Sequence, residues 1–388
     1  MAIQSPFEGT AISALRILIA SHANWEGISR LPCLLSQADC SVDLVSPPDT
    51  FITHSSYVSR HFVAPQEMSA YLTFLQAHLV QHAGNYAWVI VGDDPLLCAL
   101  GKQRHETWAR QLLPCLSDDR AIDFLVSKLD FLVQAKAAGL PLPEFFLCKD
   151  QAALLSAADA LGYPLVVKQR EGFGGKTVSI VPDQAALKQL SFEDAVIAQA
   201  FIPGPLASAA AYFDHGRLVG FFSYYRHRTW GQKGASTAVA FHQFEDLQSI
   251  LKTLGTNAGF HGLCGVDFIQ HAQTGQVVLL EQNFRPTLTV LLGRRAGVDL
   301  SALIQQTLAG IHQALPVRQK AMHGAPSVPL FPIDILRAID ERDVRGFLRW
   351  LVKPSYWSEL NWHDRRLLAY HVRYVSGFLF NKVKRLWS

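Results

Sequence analysis

The sequence predicts an α/β fold with a parallel strand–helix–strand beginning, antiparallel hairpins through the middle and a helical end. Three observations carry this. Leu15–Ala20 and residues 42–45 are apolar runs of strand length on either side of the helical stretch 28–37. Residues 263–269 and 277–280 are apolar runs flanking Gln273-Thr274-Gly275, a turn by composition. Beyond Pro316 the strand signals give way to helical periodicity over 333–338, 343–352 and 363–387.

Taken in order, the first strand–helix–strand unit predicts parallel pairing with a right-handed crossover. Its loop, 21–27, has one glycine and no G-x-G-x-x-G, which argues against a dinucleotide site. Residues 88–91 form another buried strand, ending in Gly92-Asp93-Asp94. Either these acids face a ligand at the sheet edge, or one caps the helix starting near Pro95. Residues 121–138 read as one helix, stopped by Gly139 with Pro141 and Pro143 beyond. A strand over 164–168 ends in Lys168; the glycine-rich turn Gly172-Phe173-Gly174-Gly175 and a strand over 177–181 follow. Strands 209–213 and 218–225 form a hairpin around Asp214-His215-Gly216-Arg217, and residues 226–237 read as a cationic loop over an anionic ligand. Helices are expected over 244–259 and 299–308, the latter capped by Asp299. Arg294 and Arg295, between 291 and 297, either line a pocket or pair with surface carboxylates.

Composition narrows the function classes. The chain has 388 residues, enough for two or three packed units. Charged residues are 17% and the formal net charge is +3, with no basic stripe interleaved with aromatics, so nucleic acid is not an expected partner. No apolar run approaches the roughly 20 residues of a bilayer span, and no targeting pattern opens the chain. Six scattered cysteines with no C-x-x-C pair read as buried apolar residues in a reducing cytoplasm. The last helix carries Val372, Val375, Phe378, Leu379 and Phe380 beside Arg373, Lys382, Lys384 and Arg385. It is expected to pack on the body or a partner subunit, with contact to an anionic membrane surface as the alternative.

The chemistry concentrates in Gly265–Arg285. Alternate strand residues share a face, so Glu281, Asn283 and Arg285 project together, and the hairpin brings Asp267 beside them. Two carboxylates and an amide oxygen are hard ligands suited to Mg²⁺ on substrate phosphates. Arg285 adds a guanidinium for a phosphate or acyl-phosphate oxygen. Upstream, the glycine turn lets backbone N–H groups approach a polyphosphate, with Lys168 as a point charge. It is no Walker loop, because strand rather than helix follows. Arg226 and Arg228, with Ser236 and Thr237, suit recognition of a carboxylate or phosphate.

This order of parts resembles the ATP-grasp superfamily over roughly residues 121–309, in the manner of carboxylate–amine ligases with a carbamoyl-phosphate-synthase-like domain. The resemblance implies a Rossmann-like parallel domain over 1–120, a small subdomain with the glycine loop over 121–203, a large subdomain with the metal site over 204–315, and a helical extension over 316–388. It implies nucleotide contacts from Lys128, Lys168, Gly172–Gly175 and the linker Gln199, Ala200, Phe201 and Ile202. It implies metal ligation by Asp267, Glu281 and Asn283, catalytic roles for Arg285 and Lys168, and substrate binding by Arg226, Arg228 and Ser236. Two positions depart from the family pattern: Gln199 stands where Glu is usual, and Gly265 where ligases of the D-alanine–D-alanine type carry arginine. The cofactors implied are ATP and Mg²⁺, with Mn²⁺ as a substitute. The implied reaction activates a small-molecule carboxylate as an acyl-phosphate and joins it to an amine, releasing ADP and phosphate. A homo-oligomer is compatible with this reading. The alternative is a non-catalytic nucleotide-binding protein acting in assembly or at a membrane surface.

Overall fold

Continuous apolar runs become strands buried on both faces, and the N-terminal third is built this way. The computed structural model describes residues 15–116, 118–170, 178–231, 234–313, 315–319 and 326–387, the last three without their side chains. Strands β1 (Leu15–Ala20), β2 (Cys40–Ser46), β3 (Val58–Val63) and β4 (Trp88–Val91) pair in parallel in the order β3-β2-β1-β4. Edge strand β3 escapes pattern reading because Ser59, Arg60 and His61 interrupt its apolar character. The helix expected over 28–37 is shorter: Glu26–Ile28 is a 3₁₀ turn, and the helix is Leu31–Ser36 with Pro32 in its first turn. Proline there gives up only an amide that has no helical partner.

Asp93, not Asp94, is the cap. It accepts from Leu96 N at 2.9 Å, while its other oxygen takes Ser21 Oγ, His22 N and Ala23 N at 2.6–3.0 Å. One carboxylate thus starts a helix and fastens the loop after β1.

The single helix expected over 121–138 is two, Asp119–Val126 and Lys128–Ala137. Ser127 between them is extended (φ −117°, ψ 120°) and its hydroxyl accepts from Asp130 N. A local serine cap overrides continuous helical periodicity, and Lys128 consequently stands at a helix start.

A second sheet holds β5 (Phe145–Cys148), β6 (Leu165–Gln169), β7 (Val178–Val181) and β8 (Val196–Ala200), antiparallel in the order β5-β8-β6-β7. Period-two alternation divides its faces. Leu165, Val167, Val196 and Ala198 pack with Leu154, Ala157 and Ala158 of helix Gln151–Leu161. Val166, Lys168, Ile197 and Gln199 look the other way, into a cleft. Gly172, Phe173, Gly174 and Gly175 lie outside the described residues.

The third sheet contains β9 (Leu206–Asp214), β10 (Arg217–Thr229), β11 (Ser236–Phe241), β12 (Gly262–Gln270) and β13 (Val277–Asn283) in the order β13-β12-β9-β10-β11. β14 (Val317–Arg318) and β15 (Val328–Pro329) pair with β10 and β11. Here the expected loop over 226–237 is corrected: Arg226 and Arg228 are strand residues, and Ser236 opens the next strand. Helix Leu247–Ala258 ends at Gly259, whose left-handed φ of 57° suits glycine. Helix Leu300–Leu308 is capped by Asp299, as expected. Arg294 pairs with Asp299 at 2.8 Å at the surface, whereas Arg295 pairs with Glu359, a buried carboxylate.

Helices Ile333–Asp340, Val344–Val352, Pro354–Trp357 and Arg365–Trp387 enclose a small core of Phe331, Ile335, Ile339, Trp350 and Tyr356. Polar anchors join them to the body. Asp334, 1% exposed, accepts from both Arg228 Nε and Nη2 at 3.0 Å, from Thr237 Oγ1 at 3.1 Å and from Trp350 Nε1 at 3.0 Å. His371, fully buried, meets Glu26 at 2.9 Å. The last helix therefore packs on the main body. Among the described residues, no helix is long and apolar enough to cross a membrane.

Candidate active site

The three sheets meet around one cleft of about 1850 Å³. Its floor is the β12–β13 hairpin. Asp267 and Glu281 are direct cross-strand partners, and Gly265 faces Asn283. Cross-strand side chains on one face stand about 5 Å apart, and residues 281 and 283 share a face, so the three oxygen-bearing groups gather at one end of the hairpin. A register shift follows Asp267, where the partner skips from Glu281 to Leu279. Ser208 on β9 lies opposite Asp267 from the other side and donates to its Oδ1 at 2.5 Å, and both residues line the cleft.

Electrostatics mark the same spot. Burial, then Asp267, push the Glu281 carboxyl above its usual 4.5. Burial holds the Lys168 ammonium below its usual 10.5, against the attraction of Glu281, and neighbouring Lys128 pushes it the same way. Two lysines and two carboxylates thus crowd one poorly hydrated space. Among the described residues no carboxylate pairs with either lysine within 4.0 Å. Cations held apart from anions in this way suit a polyphosphate placed between them, with a hard cation neutralising the carboxylates.

The far wall supports the same fit. Gln199 is 1% exposed, yet its Nε2 has no hydrogen-bond partner, and it lines the cleft beside Ala200, Phe201 and Ile202. An unpartnered buried amide costs about 1–3 kcal/mol, which a bound acceptor would recover. The oxygens of Asp267, Glu281 and Asn283 match Mg²⁺ chemistry.

Arg285 enters from the end of the hairpin. Its Nη2 donates to Asp94 Oδ2 at 2.6 Å and to Asn283 Oδ1 at 3.4 Å, and its guanidinium lies 4.1 Å over the Trp25 ring. Asp94, freed from capping by Asp93, is therefore a residue of the site. Trp25 and Ser208 are further members that sequence reading missed. Ser208 left a faint signal as a polar residue in an apolar strand, whereas Trp25 left none.

The three predicted substrate residues separate. Arg226 and Ser236 line the cleft, Arg226 also donating to Gly234 O. Arg228 does not: its bidentate pair with Asp334 turns it away from the cleft, so its charge serves the C-terminal helices. Strand alternation would place 226 and 228 together, but the register shifts between Tyr225 and Thr229 against β11 break it.

A nucleotide-sized cleft between antiparallel sheets, floored by an acidic hairpin and faced by strand-borne lysine, defines the ATP-grasp class. Residues 126–289 match the family model described as the ATP-grasp domain. The chain is 24% identical over 218 residues to a carbamoyl-phosphate synthase of Methanobrevibacter smithii, covering 52% of this chain and 57% of that protein. It thus spans a little over half of that relative's length. Its fold is similar to that of Staphylococcus aureus N5-carboxyaminoimidazole synthetase complexed with ADP, at TM-score 0.60 and 14% identity over 85% of this chain and 86% of that one. An L-amino acid ligase from Bacillus licheniformis is similar at TM-score 0.55 and 17% identity, over 76% of this chain and 74% of that one.

Proposed function

We propose that this protein is an ATP-dependent ligase that activates a small-molecule carboxylate as an acyl-phosphate and transfers the acyl group to an amine. The observation that carries this reading is the convergence of Asp267, Glu281 and Asn283 on the cleft face that Lys168 and Lys128 approach. It is supported by an ADP-bound structural neighbour and by a neighbour that is an amino acid ligase.

In this reading Lys168 and Lys128 hold the phosphates, and Gln199 with the backbone of 200–202 holds the base. Asp267, Glu281 and Asn283 hold Mg²⁺, which when bound neutralises phosphate charge. Ser208 aims Asp267. Arg226 and Ser236 receive the carboxylate of the substrate. The carboxylate oxygen attacks the γ-phosphorus, the bond to the β-phosphate oxygen breaks, and ADP leaves. The amine then adds to the acyl carbon and phosphate departs with the acyl C–O bond, the amine proton passing to solvent. Arg285, kept rigid by Asp94 and Trp25, faces the charge that builds on the transferred phosphoryl group.

Mg²⁺-dependent ADP release measured across amino acids and small carboxylates tests this, with hydroxylamine trapping of the acyl-phosphate as hydroxamate. Substrate-stimulated release together with a hydroxamate is the expected result. Nucleotide binding without stimulated release for any carboxylate would instead assign the chain to non-catalytic nucleotide binders.

A further inference from the structure

The turn Asp214-His215-Gly216-Arg217, between β9 and β10, carries ligand-type side chains far from the cleft. Ser208 pairs with Asp267, and Asp214 lies further along the same strand, about 20 Å away at the usual rise per residue. His215 Nδ1 is 2.9 Å from Asp214 Oδ1, and His261 Nδ1 is 3.6 Å from the same oxygen. The ligand atoms of Asp214, His215 and His261 all lie within 4.8 Å of one another. Ligands about 2.0–2.1 Å from a tetrahedral Zn²⁺ stand roughly 3.3 Å apart, and the two measured separations bracket that value.

A surface ion pair explains Asp214 with His215, but not the third member. His261 Nδ1 is buried and has no hydrogen-bond partner, since 3.6 Å is too long for one. Its ring nevertheless stacks on His215 at 4.2 Å and aims that nitrogen at the carboxylate. The neighbouring charges leave the approach open. Arg217 Nη2 occupies the other oxygen, Oδ2, at 2.8 Å, and also donates to His312 Nδ1 at 2.9 Å. Arg217 is then an outer partner that orients the carboxylate, as metal sites commonly have.

The scaffold is rigid. His215 has a left-handed φ of 46°, and Gly216 N donates to Phe260 O at 2.7 Å. A Cβ on Gly216 would stand 3.2 Å from Gly255 O, so the turn is pressed onto the end of helix Leu247–Ala258. His261 N bonds Pro114 O at 3.0 Å, and its ring packs edge-on against Trp88 at 5.2 Å.

From this geometry we propose that Asp214, His215 and His261 bind a borderline first-row divalent cation, Zn²⁺ being the ion that fits. Two imidazole nitrogens and one carboxylate oxygen are its ligands, and water completes the tetrahedron. Mg²⁺ and Ca²⁺ prefer all-oxygen shells and are poor competitors. Zn²⁺ binds His215 in the neutral tautomer that carries its proton on Nε2, and fastens the β9–β10 turn to the start of β12, the strand that bears Asp267.

Chelator-treated full-length protein, without nucleotide, is titrated with Co²⁺ and followed by visible absorption, then competed with Zn²⁺ and with Mg²⁺. Expected are tetrahedral Co²⁺ bands lost on adding Zn²⁺ but not Mg²⁺, and a Zn²⁺-dependent rise in Tm. His261→Ala should weaken Zn²⁺ binding by at least ~10-fold. His215→Ala should do the same with an unchanged metal-free Tm, because that side chain is 80% exposed. The proposal is overturned if no tetrahedral spectrum forms, if the absorption is that of cysteine thiolate, or if His215→Ala binds Zn²⁺ as the wild type does.

Discussion

Arg285 reaches Asp94 at 2.6 Å across the boundary between the third sheet and the parallel one, with Trp25 stacked beneath it. The two charges are 11% and 16% exposed, so the pair sits where water screens it little. Its role is to hold a cation in one orientation. Asp94→Asn should lower kcat by ~10–100-fold through loss of positioning. Nucleotide affinity should barely change, and Arg285→Lys should fail to restore turnover because ammonium neither stacks nor forks. Steady-state kinetics beside an ATP titration check this; equal losses in affinity and kcat would assign the pair to binding.

Glu281→Gln keeps shape and removes charge. Turnover should fall by ~10²–10³-fold, while equilibrium dialysis still detects bound ATP. Near-normal turnover would remove Glu281 from the metal set.

Lys168 stands without a carboxylate partner among the described residues, so its removal should be felt by the ligand. Lys168→Ala should weaken ATP binding by ~10–100-fold, the range for a charged hydrogen bond, as read by calorimetry. The metal-free, nucleotide-free protein should melt no earlier, because burial already disfavours that ammonium.

Asp334 answers two arginines, a threonine and a tryptophan at once. Asp334→Ala should destabilise the protein by about 3–5 kcal/mol, since it leaves half-buried Arg228 without its carboxylate and takes the acceptor from Thr237 and Trp350, while Arg337 keeps Glu341 and Asp343. Urea unfolding measures this, and a loss under ~1 kcal/mol would contradict the network's role.

The pair Asp340–Lys382 makes an acid-sensitive tie between the last helix and Ile333–Asp340. The Lys382 hydrogen bond, then that of Trp230 Nε1, holds the Asp340 carboxyl below its usual 3.8. A depressed carboxylate adds stability above its unfolded-state pKa and loses it as pH falls through the folded one. The Tm gap between wild type and Lys382→Ala should therefore be full near neutrality and close below pH 3.8. A gap that persists there would point to packing of the lysine stem instead.

Legibility from sequence followed how local the deciding interaction is. The acidic hairpin could be read because strand alternation and one turn suffice to bring Asp267, Glu281 and Asn283 together. The break at Ser127 was hidden, since Phe124, Leu125, Phe131 and Leu132 keep helical spacing across it. Arg226 and Arg228 looked alike as a cationic loop. Only Asp334, 106 residues further on, tells them apart. Trp25 and Asp94 meet Arg285 through tertiary packing alone, which no spacing rule in the chain announces.

His371 closes on Glu26 inside the protein, 345 positions later in the chain. Glu26 adjoins Trp25, on which Arg285 rests. During synthesis one oxygen of that carboxylate is already held by Ser29 Oγ, and the other must wait until residue 371 has left the ribosome. A nascent chain halted before that histidine emerges would hold every residue of the acidic hairpin and still lack a finished entrance.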